Sequence, residues 1–126
     1  MRGLPVKPLS NASELLKRIE NGEGGMLRAL SLDGPATARL RISVQDRQRG
    51  FDWIDLEFEM SEITDARLVD DKTLAMIDTD DGLTIVLENG KWGIGIGRYH
   101  SLEALKSSAL YLVGGGLKYE EMPFSG

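Results

Sequence analysis

Two stretches of this chain alternate apolar and polar residues almost without fault. From Ala38 to Arg47, the residues Ala38, Leu40, Ile42 and Val44 alternate with Arg39, Arg41, Ser43 and Gln45; from Phe51 to Met60, Ile54, Leu56, Phe58 and Met60 alternate with Trp53, Asp55, Glu57 and Glu59. A period of two is the mark of a half-buried strand, because successive side chains leave a pleated backbone on opposite faces. A short loop around Arg49 predicts an antiparallel pair with Leu40 opposite Phe58, Ile42 opposite Leu56 and Val44 opposite Ile54. That register also sets Arg39 against Glu59 and Arg41 against Glu57, and a one-residue slip would turn every apolar side chain outward.

A second hairpin is predicted around Asn89-Gly90, a dipeptide suited to the left-handed backbone of a type I′ turn. It pairs Leu87 with Trp92, Ile85 with Ile94 and Leu83 with Ile96, and on its other face lays Thr84 and Val86 across from Gly95 and Gly93. Helical spacing appears once clearly, in Ala12, Leu15, Leu16 and Ile19, with Asn11 and Glu14 as a capping box and Gly22 as a stop. Ser101 caps a short helix from Leu102 to Ser107. Four further strands are expected: Ile63 to Val69 and Lys72 to Asp78 around an Asp70-Asp71 turn, then Ala109 to Val113 and Leu117 to Met122, parted by Gly114, Gly115 and Gly116. Asp81-Gly82 supplies another turn. The whole reads as a single α+β domain over residues 1–126, a mostly antiparallel sheet of about six to eight strands with one or two helices against it.

Composition adds charge. The 126 residues carry 20 acids against 15 lysines and arginines, a net charge of −5, and no cysteine. Twelve of those acids and only two bases, Arg67 and Lys72, fall in residues 51–90, so that segment is −10 and the remainder +5. This balance argues against nonspecific nucleic-acid binding, which needs clustered cations on phosphates, and in favour of a basic protein partner. Apolar runs of only a few residues exclude a spanning helix, and the first residues lack an apolar signal core; a cytoplasmic protein without disulfides is expected.

Candidate chemistry is sparse. Trp53 faces Gln45, Asp55 faces Ser43 and Asp52 faces another acid, Asp46, so Asp52, Trp53 and Asp55 form an expected partner-binding patch of one aromatic ring among unneutralised acids. Asp78, Asp80 and Asp81 extend it at a turn. These aspartates fail as a calcium loop, because aligning Gly82 as the turn glycine leaves Ile77 and Thr79 at the first two ligand positions. Gly93, Gly95 and Gly97 lack the spacing of a dinucleotide loop, and strand glycines packed under a helix account for them. His100, the only histidine, has no partner motif for catalysis. No metal or other cofactor is expected.

The stretch FDWIDLEFEM followed by ITDARL, with the meander ending in GKWGIGIG, resembles the small immunity proteins of bacterial toxin systems of the contact-dependent inhibition type. The resemblance spans about residues 38–97 in general character. It implies a noncatalytic cytoplasmic protein that binds one cognate toxin domain, often a basic nuclease, and blocks it. The alternative is a small-ligand-binding or enzymatic α+β protein with its pocket over Gly93 and Gly95 and with His100 and Tyr99 at the rim. A homodimer through Trp53 is a third arrangement.

Overall fold

The computed structural model describes residues 7–8 and 12–124 of the chain. It is an α+β structure built on one antiparallel sheet, whose strands lie in the order β2 (Met26–Leu32), β3 (Ala38–Asp46), β4 (Asp52–Arg67), β7 (Tyr111–Pro123), β6 (Lys91–Ile96) and β5 (Leu83–Glu88), with β1 (Lys7–Pro8) added beside β7. Strands β3 (Ala38–Asp46) and β4 (Asp52–Arg67) pair in the register expected from their alternation, from Ala38 opposite Met60 to Asp46 opposite Asp52. Strands β5 (Leu83–Glu88) and β6 (Lys91–Ile96) likewise pair as expected, and Asn89 and Gly90 both take the positive φ of their turn. The apolar faces of all these strands meet in one core with Leu15 and Ile19 of α1 (Ala12–Arg18). Fully burying one such leucine, isoleucine or phenylalanine contributes about 1.5–3 kcal/mol. Asn11, the expected cap of α1, lies outside the described residues. Among the described residues no helix is long and apolar enough to cross a membrane.

Several elements differ from expectation. Strand β2 (Met26–Leu32) has no alternation to betray it, because a bulge between Leu27 and Ala29 resets its phase and places Leu27 and Leu30, three apart, toward the core. The expected strand Ile63 to Val69 is largely the continuation of β4, whose own bulge between Ile63 and Asp65 disturbs the pattern. Nor do Gly114 to Gly116 separate two strands: β7 (Tyr111–Pro123) runs through them beside that bulge, where a Cβ on Gly114 would stand 2.5 Å from the Ser61 carbonyl oxygen. The expected strand Lys72 to Asp78 is instead a short helix, α2 (Asp71–Leu74), and a loop. The Asp70 side chain accepts from the Thr73 N–H at 2.8 Å, and this N-cap wins over a weak alternation.

The sheet curves until its two ends are tied together. The Gly24 N–H donates to the Thr79 carbonyl at 3.1 Å, and the Thr79 hydroxyl donates to the Gly25 carbonyl at 2.6 Å. Gly82, at φ +74°, lies so near the Asn21 carbonyl that a Cβ would stand 2.1 Å from its oxygen, so only glycine fits. At the other end, Arg18 of α1 spans two acids of the sheet, Asp46 at 2.6 and 2.9 Å and Glu121 at 2.6 and 3.0 Å. Asp46 has no solvent exposure, and the guanidinium hydrogen bond holds its carboxyl below the usual range.

Candidate protein-binding surface

The face of the sheet opposite the core has two regions. Over β5 and β6, with Tyr111 and Val113 of β7 beside them, it is covered by α3 (Leu102–Leu105), whose Ser101 cap accepts from the Ala104 N–H at 3.0 Å. A Cβ on Gly93 would stand 2.5 Å from Leu102 Cδ2 and 2.7 Å from Leu105 Cδ2, and one on Gly95 would stand 2.6 Å from Leu105 Cδ1. The glycines let the helix approach the strand, and its leucines occupy the space where a pocket over Gly93 and Gly95 was the alternative expectation. His100 is exposed, just ahead of the helix.

Over β3, β4 and the end of β7 the same face carries the charged residues. Arg39 and Arg41 both bond Glu57, at 3.3 and 2.9 Å, and Arg39 also reaches Asp33 and Glu59. Asp55 corrects the expectation for this strand. It lies opposite Ser43 as the register requires, but it is fully buried and accepts a hydrogen bond from the Ser43 hydroxyl. An acid in that position offers no charge to a partner surface. Trp53 is half-buried, because Phe124 from the far end of the chain packs its ring 5.8 Å away and Arg28 lies over Phe124 in turn. Asp52 is exposed at the start of β4, while Asp46 opposite it is neutralised by Arg18 and Arg49 rather than left as a second free acid.

Asp78, Asp80 and Asp81 are all exposed, and they lie apart from Trp53, on the connection between α2 and β5. The run Asp-Thr-Asp-Asp works as a tether with a charged rim. Thr79 holds it to the sheet through Gly24 and Gly25, Asp78 accepts from the Asp80 N–H at 2.8 Å, and the carboxylates stay in solvent. Asp70 and Asp71 at the start of α2 are exposed as well, and the Thr73 N–H holds the Asp70 carboxyl below its ordinary range. None of these five aspartates forms an ion pair with a described residue. Lys72 is the one base among them, and the nearby Arg98 is taken by Glu23.

Beside these acids a cleft of about 590 Å³ opens between the α2–β5 connection and the end of β6. Met76 stands at its edge, 78% exposed, and Leu68, on the stretch between β4 and α2, is 44% exposed. Tyr99 forms a wall, its ring lying over Gly97, where a Cβ would stand 3.0 Å from Tyr99 Cε2. The Thr84 hydroxyl fixes that wall by donating to the Gly97 carbonyl at 2.6 Å and accepting from the Tyr99 N–H at 3.1 Å. This cleft has no counterpart in the strand expected over Lys72 to Asp78, because it needs Met76 on a loop after α2. The signal that places it is the Asp70 cap three residues before Thr73. Among the described residues no group of three or more histidines, aspartates and glutamates is placed to hold a metal ion.

No protein-family model, characterised protein or solved structure matches this chain.

Proposed function

We propose that the chain is a noncatalytic protein-binding module for a basic partner, acting as an immunity protein does when it neutralises a basic toxin domain. The observation that carries this reading is the set of exposed, unpaired aspartates at 70, 71, 78, 80 and 81, beside a cleft edged by the exposed Met76. Single exposed charges contribute little affinity, but five of one sign within the stretch between β4 and β5 raise the rate of encounter with an opposite surface. Methionine at the centre of such a patch supplies adaptable apolar contact. Asp52 and the exposed part of Trp53 are a separate, lesser contact.

The test is association with the product of the adjacent reading frame, measured at low and high salt. The reading requires a complex that weakens as salt rises and that loses affinity when Asp78, Asp80 and Asp81 are changed together to asparagine. No complex with that product, or one indifferent to both changes, contradicts it.

A further inference from the structure

The cleft beside the aspartates has a lining that names the side chain it would take, an inference that rests on the reading of the chain as a binder of a basic protein. Its inner surface is apolar, with Ile77 on one side and Ile96 on the other, and the Tyr99 ring closes one end. Asp78 and Asp81 also line it, and neither has a cationic partner among the described residues. We propose that this cleft is the socket for an arginine side chain of the partner protein.

Each part of an arginine finds its counterpart. The three methylenes of its stem suit the apolar walls, as long charged side chains cover apolar surface while their heads stay polar. The planar guanidinium stacks on an aromatic face and offers several N–H donors to two carboxylates, which a lysine ammonium does not match in geometry. The charge is complementary: two acids with no cationic partner among the described residues receive one delocalised cation. A purely apolar ligand would leave the two carboxylates at the mouth without a counter-charge.

The socket is also set before binding. Thr79 ties one wall to the segment before β2, and Thr84 holds Tyr99 and Gly97 in the other. A cleft held by such bonds loses little freedom when it is filled.

The probe is the blocked tripeptide acetyl-Gly-Arg-Gly-amide, titrated into the ¹⁵N-labelled full chain and followed by amide chemical shifts, with the lysine and citrulline tripeptides as controls. The socket predicts saturable shifts at Ile77, Ile96, Gly97 and Tyr99 with the arginine peptide, weaker ones with lysine and none with neutral citrulline. Asp78→Asn with Asp81→Asn should weaken the arginine response by about tenfold or more. Both positions are exposed, and an unchanged spectrum elsewhere would show that the fold is intact. Saturable shifts that survive the double variant, or that citrulline reproduces, overturn the socket. Shifts confined to residues 70–72 and 80 overturn it while leaving the acidic surface as the binding feature. An arginine peptide that shifts neither set counts against both. Line broadening that grows with protein concentration alone would assign the cleft to a second copy of the chain and overturn the arginine assignment.

Discussion

The Ser43 hydroxyl donates to the Asp55 carboxylate across β3 and β4 where neither side chain touches solvent. Asp55 therefore belongs to the buried structure of the sheet and not to its exposed acidic surface. Asp55→Ala strands a buried hydroxyl and removes a buried acceptor, at a cost of roughly 1–3 kcal/mol. Urea denaturation should show a lower midpoint with an unchanged slope, whereas Asp78→Asn and Asp81→Asn should leave the midpoint nearly in place.

Arg18 holds α1 to the sheet by bonding two acids at once, with side-chain exposures of 15% for Arg18, 0% for Asp46 and 8% for Glu121. Arg18→Met keeps the apolar stem and deletes the charge, leaving Asp46 with Arg49 at 3.3 Å as its remaining described cation. Breaking a buried pair from one side is expected to cost about 3 kcal/mol. Thermal unfolding followed by circular dichroism would show the loss as a lowered midpoint.

Acid and alkali should act through different groups. The carboxyl of Asp46, bonded by Arg18, and that of Asp70, bonded by the Thr73 N–H, both lie below their ordinary range. The unfolded chain then binds protons more readily than the folded one in the acid range. Their contribution is complete above the unfolded value near 4 and is lost as pH falls through the folded values. Tyr111 runs the other way: burial, then its hydrogen bond to Asp65, raises its phenol above the ordinary value. Its contribution is complete below about 10 and is lost as pH rises through the folded value. Stability measured against pH should fall on both sides, and Tyr111→Phe should flatten the alkaline side and also make the acid side shallower, because the Tyr111 hydroxyl is what chiefly holds the Asp65 carboxyl below its ordinary range.

The fit of α3 on β6 gives a sharper packing test. Gly95→Ala places a methyl 2.6 Å from Leu105 Cδ1 and 3.3 Å from the Leu110 carbonyl oxygen, an overpacking that should cost about 1–3 kcal/mol. Leu105→Ala opens a cavity in the same place. Combined, the two changes should cost less than the sum of the single changes, because one makes room for the other; chemical denaturation of the four proteins in a double-mutant cycle measures the difference.

Strict alternation made β3, β4, β5 and β6 legible with their register, since any slip would expose a whole apolar face. Elements interrupted by a bulge were not legible: in β2 the extra residue at Arg28 turns a period of two into a spacing of three, and the bulge at Thr64 makes one long strand resemble two. Acid count was legible, but exposure was not. Asp46 is withdrawn by Arg18 and Trp53 is partly covered by Phe124, partners remote in the chain that no local pattern announces, while Asp55 faces Ser43 as the register requires but in a position buried from solvent. The same holds for the cleft, whose walls come from the α2–β5 connection, the end of β6 and Tyr99. The exposed turn at Asp78, Asp80 and Asp81 was readable because Gly82 and the dense aspartates mark a solvated bend.

The central claim is that the aspartates of the α2 region and its following connection hold a basic protein. The most direct measurement is the dissociation constant for the adjacent-frame product at about 50 and about 300 mM salt, between which the Debye length falls from roughly 14 Å to roughly 6 Å, for the natural chain and for Asp78→Asn with Asp80→Asn and Asp81→Asn. The account predicts a steep loss of affinity with salt in the natural chain and a weaker complex with a shallower salt dependence in the triple variant. Equal affinity and equal salt dependence in the two proteins would contradict it.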